Sequence, residues 1–273
     1  MVKENAYAKL NLSLNVIRKM ENGFHELESI MVPVVDLYDE LYFEENGTDE
    51  FILSGCDIEN NSILKAAYAF QKKYNTKGAN IRLVKRIPLE AGLAGGSADS
   101  SATLRGLNKL FNLNLPLWEL EELAKQLGSD NVFCLYNRAA ICRGRGELLT
   151  FLDFDFSFNV LLIKPLFGLL TKDVFANIKI KGKNDKILLL LKALETNDLE
   201  LLDENIFNDL LAGALAVEPK LMYIKSEIEK YYSKCHMSGS GTTLYVITDN
   251  KVEISNIEYG YLGKHLVKSS VND

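Results

Sequence analysis

The chain has 273 residues, with 31 Lys and Arg against 37 Asp and Glu, for a formal net charge of −6 at pH 7. Hydrophobic residues make up 47% and charged residues 25%. Those are the proportions of a globular protein with a real core, not of a disordered, collagen-like or disulfide-stapled chain. The length suggests about two domains, and the acidic balance lacks the broad positive field that grips a nucleic-acid backbone.

No run approaches the roughly 18 uncharged apolar residues of a membrane span; the best, Val160 to Leu170, is broken by Lys164 and Pro165. The opening Met1-Val2-Lys3-Glu4-Asn5-Ala6 lacks a signal peptide's basic start and apolar core. Cys56, Cys134, Cys142 and Cys235 are far apart and form no C-x-x-C pair. That pattern fits free thiols in a reducing cytoplasm better than a disulfide framework or a zinc site. His236 beside Cys235 is a weak metal pair, and Lys179, Lys181, Lys183 and Lys186 read as a solvated loop.

Residues 8–16 alternate, with Leu10, Leu12, Leu14 and Val16 on one side and Lys9, Asn11, Ser13 and Asn15 on the other. Period 2 predicts a strand. A turn at Asn22-Gly23 follows, then strand-like segments at 29–35, 39–44 and 51–54. A helix is predicted over 62–74, with Ile63, Ala66, Ala67 and Phe70 at helical spacing, then a strand over 80–87. Glycines at 92, 95 and 96 precede an amphipathic helix starting near Ser97. A second helix over 117–127 stops at Gly128, and another element starts at Asn131. A strand over 159–164 opens a second half, with a faint composition boundary at 154–158. Helices are predicted over 171–180, 186–194 and 219–231, and a glycine loop from Met237 runs into a strand ending near Ile247.

The glycine loop has a physical use. Glycines let backbone approach a ligand, and the following helix offers unpaired N–H groups at its positive end. The sequence spells neither G-x-x-x-x-G-K-[ST] nor G-x-G-x-x-G. A tight turn is the plain alternative, but Ser97, Asp99, Ser100 and Ser101 behind the glycines favour an anion site. Lys9 and Asn11 share a polar strand face that either meets water or grips a hydroxylated ligand. Asp130 either caps the next element or serves as a base for a substrate hydroxyl. His25, beside Phe24, is either an exposed loop residue or part of a ring pair that stacks on and reads a base. The 239–241 loop is either a hairpin turn or a second ligand contact.

Three segments, Ala8-Lys-Leu-Asn-Leu-Ser-Leu, Pro88-Leu-Glu-Ala-Gly-Leu-Ala-Gly-Gly-Ser-Ala-Asp and Ser238-Gly-Ser-Gly, together resemble the three motifs of the GHMP kinase superfamily. Gly23-Phe-His-Glu-Leu and Leu127-Gly-Ser-Asp narrow the resemblance. It is closest to the branch that phosphorylates the 2-hydroxyl of 4-diphosphocytidyl-2-C-methyl-D-erythritol in the non-mevalonate route to isoprenoid precursors. The resemblance implies an α+β fold. An N-terminal domain, 1–154, would be like the second domain of ribosomal protein S5, and a C-terminal domain, 155–273, would be ferredoxin-like.

It also implies that ATP, with Mg²⁺, lies along Pro88, Leu89, Glu90, Ala91, Gly92, Leu93, Ala94, Gly95, Gly96, Ser97 and Ala98, with Asn61 near the adenine. Lys9 and Asp130 match the catalytic pair, and Asn11 a substrate-binding asparagine. His25 matches the residue that reads the cytosine edge, Phe24 and Phe175 the rings that sandwich the base, and Thr171 a substrate-pocket threonine. Ser97 is the side chain expected nearest the metal. The resemblance predicts a small-molecule substrate, no nucleic-acid or membrane partner, and a monomer or weak homodimer.

Phe24 stands where the family usually has Tyr, Leu170 where Ser is frequent, and Asn131-Val132 where Val-Pro is common. Glu90 puts a carboxylate in a phosphate loop and is expected to point outward. Two other readings are a GHMP kinase for a different small alcohol, such as mevalonate or homoserine, and a nucleotide-binding module without catalysis. The Phe24-His25 and Phe175 rings argue against a substrate with no base to stack. Retention of Lys9 and Asp130 argues against a silent module.

Overall fold

The structure, a computed structural model, describes residues 1–56, 61–250 and 258–271. In chain order its elements begin with β1 (Val2–Asn11), β2 (Ser13–Lys19), β3 (His25–Glu45), β4 (Ile52–Ser54), α1 (Ser62–Tyr74) and β5 (Ala79–Val84). Next come α2 (Gly95–Leu110), α3 (Leu117–Leu127), α4 (Asn131–Tyr136), β6 (Ala140–Gly144), β7 (Leu148–Phe151), β8 (Phe158–Pro165) and α5 (Thr171–Ala176). The chain ends with α6 (Lys186–Thr196), α7 (Leu199–Asn205), β9 (Phe207–Asn208), α8 (Leu211–Val217), α9 (Lys220–Ile228), β10 (His236–Met237), β11 (Leu244–Ile247) and β12 (Tyr259–Val267). Two units interleave in sequence: Met1–Ala8, Leu37–Ile87 and Ala94–Asn137 form the first, and Lys9–Asp36, Pro88–Leu93 and Arg138–Asp273 the second.

In the first unit, the end of β3 pairs antiparallel with β5 from Glu40 opposite Val84 to Glu45 opposite Ala79, and β4 runs parallel to β5. β5 alternates, burying Ala79, Ile81 and Leu83 while Asn80 and Arg82 face out. Buried Ile63, Ala66, Ala67 and Phe70 on α1 bear out the helical spacing. α2 approaches the sheet closely because Gly106 has no side chain. A Cβ there would lie 2.3 Å from the Phe43 ring. Arg105, midway along α2, reaches Glu4 at 2.9 Å, the Asn5 carbonyl at 2.8 Å and the Cys134 carbonyl at 2.8 Å. Those bonds fix α4 against α2, and with it the turn that carries Asp130.

In the second unit, β8 lies between β11 and β12, antiparallel to both, and β10 extends the β11 edge. β2 pairs with β3, β3 with β6, and β6 with β7, all antiparallel. Leu14 and Val16 of β2 pack into a core with Leu161, Ile163, Val174, Leu221, Ile224 and Met237.

The alternation at 8–16 becomes two strands interrupted at Leu12, whose N–H bonds the Ile30 carbonyl at 2.9 Å. The segments at 29–35 and 39–44 are one 21-residue strand. The helix predicted over 171–180 stops at Ala176. β6, β7, α7, β9, α8, β10 and β12 are elements that the sequence reading missed. Among the described residues no helix is long and apolar enough to cross a membrane.

Candidate active site

The polar side of the first strands does not face water. Lys9 and Asn11 are 2% exposed, Ser13 is fully buried and Asn15 is 1% exposed. A buried polar group is costly unless it is paired, and these are. Lys9 Nζ donates to Asn11 Oδ1 at 2.6 Å and to the Gly92 carbonyl at 3.0 Å. Asn15 Nδ2 donates to Asp209 Oδ2 at 2.7 Å and to the Gly182 carbonyl at 2.8 Å, and its Oδ1 accepts from Asn184 N at 3.0 Å. Of the two alternatives for Lys9 and Asn11, the solvated edge is excluded.

These bonds join two glycine loops. Three successive carbonyls of the first loop are taken: Ala91 by Thr243 N at 3.2 Å, Gly92 by Ser238 Oγ at 3.0 Å, and Leu93 by Lys9 N at 3.2 Å. Gly92 has φ +70°, and a Cβ there would sit 2.2 Å from the Ser238 carbonyl, so only glycine fits. On the second loop, Gly239 N donates to Asn11 Oδ1 at 3.0 Å, and Asn208 Nδ2 donates to the Met237 and Gly239 carbonyls, each at 2.8 Å. Thr171 and Ser240 share a hydroxyl bond of 2.9 Å. Asn208 had no sequence signal, because it works from a two-residue strand.

His25 stacks on Phe175 with ring centroids 4.8 Å apart and planes 26° apart. Burial, assisted by the nearby Lys19 charge, lowers its pKa, so the ring is neutral at pH 7. A neutral imidazole offers one donor and one acceptor, the right equipment for a base edge. Phe24 is 51% exposed and lies under the Arg145 guanidinium, 5.1 Å from its ring centroid. Glu90 is exposed, and its carboxylate lies against Gly168, where a Cβ would be 2.0 Å from Oε2.

In the first unit, α2 begins without a side-chain cap. Ala94 sits at its N-cap with φ 59°, and no acidic residue occupies the first turn. The opening amides of Gly95, Gly96 and Ser97 therefore lie at the positive end of a 16-residue helix, a setting suited to phosphate. Asn61 caps α1, its Oδ1 accepting from Ile63 N at 2.8 Å, while its Nδ2 donates to Cys56 Sγ at 3.2 Å.

Behind this helix start lies a buried charge cluster that the sequence did not reveal. Lys85 Nζ donates to Asp39 Oδ2 and Asp99 Oδ2, both at 2.6 Å, and Asp39 Oδ1 accepts from Ile87 N at 2.8 Å. Asp99 Oδ1 is buried with no hydrogen-bond partner among the described residues. Burial pushes the Asp99 carboxyl up to about 7, against the pull of Lys85 and with the push of Asp39. The cluster ties the end of β5 to the first turns of α2.

Asp130 occupies the N-cap position of α4, with φ −82° and ψ −6°, but its side chain makes no capping bond. The helix start is held by its neighbours. Asn131 Nδ2 donates to Ser100 Oγ at 2.8 Å, and Ser101 Oγ donates to the Asn131 carbonyl at 2.7 Å. Asn131, a departure from the motif, thus ties the turn behind Asp130 to α2.

Known proteins align with this architecture along its length. The family described as GHMP kinases N terminal domain matches residues 61–138, and GHMP kinases C terminal matches residues 190–265. A Bacillus subtilis protein named 4-diphosphocytidyl-2-C-methyl-D-erythritol kinase is 36% identical over 270 residues, 96% of this chain and 93% of its own. A Staphylococcus epidermidis relative is 38% identical over 271 residues, 94% of each chain. The crystal structure of a 4-(cytidine 5'-diphospho)-2C-methyl-D-erythritol kinase matches with a TM-score of 0.83 at 26% identity, covering 97% of this chain and 99% of that one. L. major mevalonate kinase shares the fold, with a TM-score of 0.76 at 14% identity over 99% of this chain and 97% of its own. With both domain descriptions matched and relatives more than a third identical almost end to end, this chain belongs to the GHMP kinases.

Proposed function

We propose that the chain is an ATP-dependent kinase that phosphorylates the 2-hydroxyl of 4-diphosphocytidyl-2-C-methyl-D-erythritol in the non-mevalonate isoprenoid pathway. Within the molecule, one observation carries the reading. Lys9 is withdrawn from water, and its ammonium is held by Asn11 and by the carbonyl of Gly92 in the glycine loop. An ammonium in a buried polar setting beside such a loop is suited to stabilising oxyanion charge. The names of the Bacillus subtilis relative and of the cytidine-specific structure supply the substrate. The alternatives weighed from the sequence, another small alcohol or a silent module, gain no support from any of these observations.

Phosphoryl transfer asks little covalent work of a protein and much positioning and charge neutralisation. Asp130 takes the proton of the attacking hydroxyl, and Lys9 stabilises the charge that develops on that oxygen. The phosphates of ATP lie along 88–98, where the amides opening α2 receive them, and Asn61 lies towards the adenine. Asn11 and Thr171 bind the substrate, and His25, with Phe24 and Phe175, takes the cytosine. Among the described residues no three acidic, His or Cys side chains converge as a metal cage. Mg²⁺ keeps water and phosphate oxygens and asks for one or two protein oxygens; Ser97, in the first turn of α2, would supply one. The ion, when bound, neutralises phosphate charge. The working form is a cytoplasmic monomer or weak homodimer without nucleic-acid or membrane partners, divided as 1–154 and 155–273.

The test is coupled ADP release with a panel of alcohols. Turnover with the cytidyl substrate and none with mevalonate or homoserine is the expected result; equal turnover with a small alcohol would rule out a base-reading pocket. In the same assay, His25→Ala is expected to raise KM for the cytidyl substrate on the order of tenfold, the worth of one hydrogen bond. KM for ATP should stay nearly unchanged. An unmoved cytidyl KM would contradict base reading by His25.

A further inference from the structure

Resting on that reading, we propose that Ser29, on β3, is a positioning residue for the reaction: its hydroxyl fixes which way the Asn11 amide faces and so holds the Lys9 ammonium in place. Ser29 is 1% exposed and Asn11 2% exposed, so neither can turn to water for a partner. A serine hydroxyl has one proton, and that of Ser29 is committed to the Ser13 carbonyl. What remains on Ser29 is lone pairs, and it accepts from Asn11 Nδ2 at 2.8 Å.

An amide whose nitrogen meets Ser29 must turn its oxygen the other way. There it receives Lys9 Nζ at 2.6 Å and Gly239 N at 3.0 Å. The flipped amide would set an NH₂ group against an ammonium and a backbone N–H, two donor-to-donor contacts in a buried site. The sequence offers Ser29 no reason for notice. It stands 18 residues from Asn11, between Glu28 and Ile30 on β3, with no motif around it. Its role is to relay orientation from the Ser13 backbone to the lysine, with no contact of its own to either substrate.

The experiment measures kcat and both KM values for Ser29→Ala, Ser29→Thr and Lys9→Met, and repeats Ser29→Ala in an Asn11→Asp background. Ser29→Ala is expected to lower kcat about tenfold while both KM values stay within about twofold. Ser29→Thr keeps the hydroxyl and should recover most of the loss. A carboxylate presents oxygen at either end and needs no orienting. In the Asn11→Asp background Ser29→Ala should therefore cost less than about twofold.

Wild-type kcat in Ser29→Ala overturns the proposal. So does equal impairment by Ala and Thr, or an undiminished cost in the Asn11→Asp background. If Ser29→Ala does not fold, Ser29→Cys takes its place, since a thiol is a weak donor and acceptor; wild-type kcat there overturns it equally. Lys9→Met separates the two failures. Full turnover in that variant removes the catalytic reading and the role of Ser29 together. Lost turnover there beside intact Ser29→Ala removes the role of Ser29 alone.

Discussion

Asp130→Asn is expected to lower kcat by about 10²-fold or more, the usual worth of a positioned general base. The start of α4 should stay formed, and KM for ATP should hardly move. The structural half of this expectation comes from the turn. The Asp130 carboxylate makes no cap bond to α4, so the amide that replaces it leaves no cap unmade. α4 is held instead by Asn131 on Ser100, by Ser101 on the Asn131 carbonyl, and by Arg105 on the Cys134 and Leu135 carbonyls at 2.8 and 3.2 Å. None of those bonds involves the substituted group. Asparagine keeps the shape and loses the ability to accept and retain the substrate proton, so the loss should fall on kcat. Coupled ADP release, with a thermal melt on the same preparation, checks both halves. An Asp130→Asn enzyme turning over at the wild-type rate would take Asp130 out of the chemistry.

How far the chain could be read from its residues depends on where partners lie. Helix α1 was legible because its signal is local: an apolar stripe at 63, 66, 67 and 70. The gap at Leu12 and the continuity of β3 were not, because period-2 alternation looks the same in one strand or two. β3 also buries successive residues from Ile30 to Val34, which hides its alternation. α8, with Leu211-Ala-Gly-Ala-Leu-Ala-Val, has no polar side for periodicity to find. In β12, most residues are half-buried on both faces, with only Gly260 and Lys264 exposed, so no period-2 pattern shows.

At the site, residue types were readable and their surroundings were not. A strand face of Lys, Asn, Ser and Asn reads alike whether it meets water or a buried network, because the deciding partners come from far along the chain. Gly92 is 83 residues from Lys9, and Gly239 is 228 from Asn11. The Lys85 cluster was invisible for the same reason, since Asp39 lies 46 residues away.

Lys9→Met is expected to abolish most turnover, on the order of 10²–10³ in kcat, as when one preorganised charge-stabilising group is removed. The fold should be left as stable as before or more so. Lys9 is 2% exposed, so its ammonium carries a desolvation cost that methionine, similar in length, does not. The Asn11 and Gly92 oxygens it leaves behind keep other donors. Asn11 Oδ1 still accepts from Gly239 N at 3.0 Å, and the Gly92 carbonyl still accepts from Ser238 Oγ at 3.0 Å. Neither becomes an orphaned buried acceptor, the circumstance that makes most buried-polar deletions expensive. The two roles a buried lysine can have therefore separate in opposite directions. A lysine kept for structure would lose melting temperature on substitution and leave turnover intact; one kept for chemistry loses turnover and leaves melting temperature level or raised. Melting temperature and kcat measured together on the Lys9→Met enzyme decide between them, and a lowered melting temperature with preserved kcat would refute the catalytic role.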